Sequence, residues 1–144
     1  MWQYARPVEE SVYEQVGGQE FFDQLVERFY QGVAVDELLR PLYPDDLGPA
    51  RKHLAQFLAQ YWGGPPYYSA ERGHPRLRMR HAPFVIGVDE RDAWMRHMRA
   101  ALAACELPES TRIAMVDYFE SASMHLINKQ PPTPSGTFRK LPLS

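Results

Sequence analysis

The residues of this chain that could do chemistry fall into three groups, and none of them makes a complete metal or nucleophile motif. His81 lies in Arg76-Leu77-Arg78-Met79-Arg80-His81-Ala82-Pro83-Phe84. A neutral imidazole there can bind a metal through one ring nitrogen while a backbone carbonyl fixes the other. The plainer reading is a capping or solvent-facing histidine at the end of a short helix, and spacing alone leaves both readings open. Histidines 53, 74, 81, 97 and 125 form no HExxH pattern, and the single cysteine, Cys105, offers little thiolate ligation, so a bare zinc site is not expected. The loop before His81, the prolines on either side and the aromatic-rich helices elsewhere point instead to a pocket for a large flat group.

Tyr30, Tyr43 and Trp94 form the second group. Tyr30 shares a helical stripe with Phe22 and Val26, which turns its ring inward and leaves its hydroxyl in need of a partner. Trp94 heads the inner face of its own segment and brings a donor with no acceptor. Each aromatic taken singly could be core filling with one local hydrogen bond; together they could aim several donors at one small ligand. Arginines 72, 76, 78 and 80 form the third group, read either as anchors for an anionic group or as a solvated face with packed stems.

Helices must position these residues, because the segments between the Gly and Pro breaks carry three- and four-residue apolar spacing. An all-α chain is expected. After a short helix at 11–15, residues 19–33 place Phe22, Leu25, Val26, Phe29, Tyr30 and Val33 on one stripe. Asp36 is the expected cap of a turn at 37–40. Pro49 opens a helix with Ala50, Leu54, Phe57, Leu58 and Tyr61 inward, stopped at Gly63-Gly64. Residues 65–73 read as a long loop, leading to a short helix that begins near Pro75 and runs through His81. Asp89 is the expected N-cap of a helix at 90–104 with Trp94, Met98, Ala101, Leu102 and Cys105 inside. Pro108 opens a last helix facing inward through Val116, Phe119, Ser123, Leu126 and Ile127.

Composition bounds the class. The chain has 144 residues, 44% of them hydrophobic, and 16 Lys+Arg against 18 Asp+Glu give a net charge of −2. That suits one globular domain and argues against a general nucleic-acid binder. One cysteine allows no intrachain disulfide, and no apolar run approaches a membrane span or a secretory signal, so a soluble, cytoplasmic chain without membrane or nucleic-acid partners is expected.

Several strings taken together resemble the truncated hemoglobins, specifically their group II branch. They are Gly17-Gly18 after a minimal first helix, Phe29-Tyr30, Leu42-Tyr43-Pro44, Tyr61-Trp62-Gly63-Gly64-Pro65, the run from Arg72 to Phe84, and Glu90-Arg91-Asp92-Ala93-Trp94. The resemblance implies a truncated globin fold, an abbreviated two-over-two helical sandwich around haem b (iron protoporphyrin IX). It covers 10–129, leaving 1–9 as an N-terminal extension and 130–144 as a flexible, proline-rich tail.

By that resemblance His81 is the proximal ligand of the haem iron, and the opposite axial position takes a small ligand. Tyr30, Tyr43 and Trp94 are then distal donors. Ala50 falls where many other globins place a distal histidine. Leu54, Phe57 and Leu58 line the apolar side, and Trp62, Met98 and Phe84 contact the haem. Arg80, with Tyr68 as a second anchor, pairs with the propionates, and His53 stands where relatives often carry an arginine.

Donors preorganised in a dry cavity stabilise the partial negative charge that dioxygen acquires, so high affinity with slow release is expected. The implied ligands are O2, CO, NO and peroxide. Peroxidase-like or NO/O2 redox turnover is left open, as are an external reductase and a homodimer. The competing function is a non-catalytic helical module that binds an anionic partner through the basic segment Arg72 to Arg80.

Overall fold

The computed structural model describes residues 10–128, all-helical apart from turns and loops; the proposed extension at 1–9, the tail at 130–144 and residue 129 lie outside that range. The elements are α1 (Val12–Val16), α2 (Gln19–Ala34), a 3-10 turn (Arg40–Leu42), α3 (Gly48–Tyr61), α4 (Tyr67–Arg72), α5 (Leu77–His81), α6 (Val88–Ala103) and α7 (Glu109–Met124).

Two helix pairs, α2 with α3 and α6 with α7, meet through the contact of α2 with α6, and α4 packs on α3. The stripe expected on α2 is the centre of the core: Phe22, Leu25, Val26, Phe29, Tyr30 and Val33 are all buried. Opposite them stand Ala55, Leu58 and Ala59 of α3 and Ala93, Met95, Met98 and Leu102 of α6. Burial of each large side chain contributes about 1.5–3 kcal/mol before entropy is charged against it.

Local chemistry sets the ends. Ser11 and Glu14 form a reciprocal capping box on α1. The Tyr13 amide donates to the Trp62 carbonyl at 2.9 Å, which seats α1 on the end of α3. Gly63 is left-handed there, with φ 107°, and a Cβ on it would press into Ser11, so both backbone and space demand glycine.

Four expectations are corrected. Tyr61, expected on the inward face of α3, is the last residue of that helix and is 51% exposed. Residues 65–73 are not a continuous loop: Tyr67–Arg72 is helical and ends at Gly73. Its one buried residue is Tyr68, too little to produce a periodic signal. The N-cap of α6 is Gly87, whose amide donates to Glu90 Oε1 at 2.7 Å; Asp89 lies within the first turn. On α7 the buried stripe is Thr111, Met115, Phe119 and Ser123, a four-residue repeat, and the helix ends before Leu126 and Ile127.

Arginines hold α6 and α7 together. Arg91 donates to Ser123 Oγ at 2.9 Å and to the Glu120 carbonyl at 3.0 Å, and Arg112 donates to the carbonyls of Leu102 and Cys105. The two carbonyls that Arg112 meets lie at and just past the C-terminal end of α6.

Candidate haem pocket

Tyr30, Tyr43 and Trp94 come together at the α2–α6 junction. Tyr30 is 3% exposed, and its ring meets that of Tyr43 edge-on, with centroids 5.5 Å apart. Phe29 bridges the two sides, 5.0 Å from Tyr30 and 4.9 Å from Trp94. Burial, and after it the neighbouring Tyr43 hydroxyl, pushes the Tyr30 phenol far above its ordinary range. Burial raises the Tyr43 phenol, and hydrogen bonding with Tyr30 and with the Trp94 indole pulls it back only in part.

An indole N–H can only donate, so Tyr43 accepts from Trp94, and the two facing hydroxyls of Tyr30 and Tyr43 share one hydrogen bond and leave one proton uncommitted.

The corner carrying Tyr43 is held from two sides. Asp36 Oδ1 accepts the amides of Leu38 and Leu39 at 2.8 and 3.1 Å, which is the expected cap. The Arg40 guanidinium donates to the carbonyls of Tyr43, Pro44 and Asp45 at 3.3, 2.8 and 2.8 Å.

His81 is the last residue of α5 and is half-buried. Its Nδ1 stands 2.6 Å from the Leu77 carbonyl. A ring nitrogen that close to a carbonyl donates, which in the neutral ring leaves the Nε2 lone pair available. Asn128 secures the segment that follows: its Nδ2 donates to the carbonyls of His81 and Phe84 at 3.3 and 2.8 Å, and its Oδ1 accepts the Ile86 amide at 2.8 Å. Arg76, left-handed at φ 46°, starts α5, and its amide donates to His74 Nδ1 at 3.1 Å.

The remaining expected site residues fall into three settings. Ala50, Leu54, Phe57 and Trp62 are half-buried on or just after α3, whereas Leu58 and Met98 are fully buried in the packed core. Phe84 is 41% exposed beside His81, with ring centroids 6.5 Å apart. Tyr68 is buried, edge-on to Phe57 and flanked by the guanidinium groups of Arg72 and Arg80, 5.8 and 5.9 Å from its ring. Arg80 is braced by the carbonyls of Pro75 and Arg72, both at 2.7 Å.

His53 lies 3.2 Å from Arg72, and burial beside that cation lowers its pKa. Among the described residues neither Arg72 nor Arg80 has a carboxylate in ion-pair reach.

The sequence reading did not find Asn128, Arg40 or the Asp36–His97 pair. Asn just past the last helix was the one available signal for the first of them. A separate cleft of about 500 Å³ between α2 and α3, lined by residues such as Asp23, Glu27, Arg51 and Lys52, contains none of the expected site residues.

Comparison with known proteins decides the family. A profile of bacterial-like globins matches residues 11–128. Group 2 truncated hemoglobin YjbI of Bacillus subtilis is 41% identical over 112 residues, which span 78% of this chain and 85% of that protein. The chain belongs to the group II truncated hemoglobins. Among solved structures, the hemoglobin of the thermophilic phototroph Chloroflexus aurantiacus is 51% identical with a TM-score of 0.82, covering 84% of this chain and all of that one. The truncated oxygen-avid haemoglobin of Bacillus subtilis is 40% identical with a TM-score of 0.79, covering 83% of this chain and 100% of that one.

Membership carries the two-over-two globin fold and the binding of O2 and other small gaseous ligands at haem. No helix of this truncated hemoglobin, among the described residues, is long and apolar enough to cross a membrane.

Proposed function

We propose that the chain holds haem b through His81 Nε2 and retains dioxygen with high affinity and slow release. The residues present fit that group. Met79, Phe84 and Val85 around His81 expose apolar side chains, at 64%, 41% and 60%, suited to a flat hydrophobic ligand. Arg72 Nε and Trp62 Nε1 are buried donors without a partner among the described residues, and Arg72 supplies a cation for a propionate, whereas Arg80 is spent on the carbonyls of Pro75 and Arg72.

Haem, when bound, would supply an iron able to take O2, CO, NO or peroxide. The protein supplies the rest. The Nδ1 contact with Leu77 fixes the tautomer and plane of His81. Ala50, small and half-buried, leaves the distal side without an imidazole gate.

One geometric relationship carries the affinity claim: the rings of Tyr30 and Tyr43 meet edge-on beside Trp94, and two hydroxyls that share one hydrogen bond leave one proton for a ligand. That donor is oriented before any ligand arrives and costs no reorganisation. The oxygen-avid character of the Bacillus subtilis relative supports the same reading. Multi-turnover NO oxidation calls on electrons from an external reductase.

An anionic-partner module built on Arg72 to Arg80 has weaker support, since Arg80 is turned inward onto Pro75 and Arg72. A visible spectrum after haem reconstitution tests the proposal. A Soret band that weakens strongly in His81→Ala supports it; no band in the parent protein overturns it.

A further inference from the structure

One residue takes hold of both backbone groups of Tyr43. The Tyr43 amide donates to the Arg40 carbonyl at 3.1 Å, and the Tyr43 carbonyl accepts from Arg40 Nη1 at 3.3 Å. The same guanidinium reaches on along the chain, with Nη1 donating to the Pro44 carbonyl and Nη2 to that of Asp45, both at 2.8 Å. Backbone alone does not pair these groups. Tyr43 precedes a proline and is extended, at φ −116° and ψ 153°, so the 3-10 turn stops there. None of the three carbonyls has a backbone amide partner among the described residues. Among the same residues Arg40 has no carboxylate in ion-pair reach, so its charge is directed at these carbonyls. Such charge-assisted bonds are about twice as strong as neutral ones. On its other side the Arg40 amide donates to the Asp36 carbonyl at 2.8 Å, and Asp36 Oδ2 meets His97 Nε2 of α6 at 2.6 Å. An unbroken run of contacts thus leads from the helix of Trp94 through Asp36 and Arg40 to Tyr43.

We infer that Arg40 is the positioning residue for Tyr43: by closing on the backbone of that tyrosine it sets where the phenol hydroxyl stands against Tyr30 and Trp94, and so how long a bound ligand is held. The inference rests on the reading of Tyr43 as a ligand donor and names the group that keeps the donor in place. A tyrosine side chain has only two torsions. With its backbone clamped and its ring edge-on to Tyr30, centroids 5.5 Å apart, the Tyr43 hydroxyl has little freedom left. A donor already in place stabilises charge on a ligand without the cost of ordering it at each binding event. The planar guanidinium fork suits three successive carbonyls, which the point-like ammonium of a lysine does not match. An arginine that merely braced the corner could satisfy any of its carbonyls; this one captures both polar backbone groups of the residue whose ring joins Tyr30 and Trp94.

The test follows O2 dissociation from the haem-loaded ferrous full chain, and the C–O stretching band of its carbon monoxide complex, which moves with the hydrogen bond given to the ligand. The chains compared are the parent, Arg40→Met, Tyr43→Phe and the double variant. Arg40→Met is expected to release O2 several-fold faster and to shift and broaden the C–O band, with the Soret band and the rate of haem loss unchanged. In the Tyr43→Phe background the same substitution is expected to change neither readout further. Arg40→Lys keeps the charge without the fork and is expected to lie between the parent and Arg40→Met, which also serves where Arg40→Met folds poorly. An unchanged dissociation rate or C–O band in both Arg40 variants, or an equal acceleration with and without the Tyr43 hydroxyl, overturns the inference and leaves the haem reading intact. No effect of Tyr43→Phe itself overturns the donor reading and this inference with it.

Discussion

His97 Nε2 stands 2.6 Å from Asp36 Oδ2 and so joins α6, three residues beyond Trp94, to the cap of the corner that carries Tyr43. Asp36 is only 11% exposed on its side chain, His97 23%, and Arg96 adds a distant third charge at 4.0 Å. Gly32 lies beneath the imidazole, where any Cβ would collide with the ring. The pair is thus a strut between the helix that carries Trp94 and the corner that carries Tyr43.

Removing the strut has two expected effects. His97→Phe strips Asp36 of its partner and costs about 1–3 kcal/mol, seen as a lower unfolding midpoint in denaturant. It also loosens the Tyr43 corner, so O2 dissociation accelerates. An unchanged midpoint contradicts the strut.

Acid titrates the same contact. The bond to His97 holds the Asp36 carboxyl below its ordinary value. A carboxylate with a lowered folded-state pKa contributes stability that is complete above about pH 4 and is lost as the pH falls below it. Unfolding midpoints measured from pH 5 to 3 are expected to drop less steeply in Asp36→Asn than in the parent chain.

A second acid-sensitive contact lies between α3 and α4. Neutral His53 accepts from Arg72, and its pKa is lowered by burial and by that cation. Protonation turns acceptor into like charge, so stability present above about pH 6.5 declines as the pH falls below it. Haem transfer to an acceptor globin is expected to quicken over this range, and His53→Gln is expected to flatten the pH profile.

Asn128 gives a test on the proximal side. Asn128→Ala opens three hydrogen bonds to the segment after His81. Haem loss is expected to accelerate with little change in O2 dissociation; a large change in O2 dissociation and none in haem loss contradicts a proximal role.

Much of the fold was legible in the sequence because it is written in local periodicity. Phe22, Leu25, Phe29 and Val33 recur at helical spacing and are the most buried residues of α2. The segment Tyr67–Arg72 was not legible, because a six-residue helix with one buried side chain has no period to read. Tyr30 could be placed inward from its neighbours on the stripe. That its hydroxyl meets Tyr43, and that Trp94 meets the same oxygen, depends on packing between α2, the corner and α6, which spacing does not encode. Asn128, Arg91 and Arg112 escaped for a related reason: they serve backbone carbonyls far along the chain and leave no pattern around themselves.

The central claim is that Tyr43, packed against Tyr30 and Trp94, donates a hydrogen bond to dioxygen in the haem pocket. Stopped-flow O2 dissociation from the ferrous protein tests it most directly, comparing the parent chain with Tyr43→Phe, Trp94→Phe and the double variant. Loss of a hydrogen bond to a charged acceptor, about 1.5–3 kcal/mol, predicts dissociation faster by roughly tenfold to a hundredfold in Tyr43→Phe. Because Trp94 acts partly through the Tyr43 oxygen, the double variant is expected to fall short of the product of the single effects. Dissociation unchanged in Tyr43→Phe, with the Soret band intact, would contradict the account.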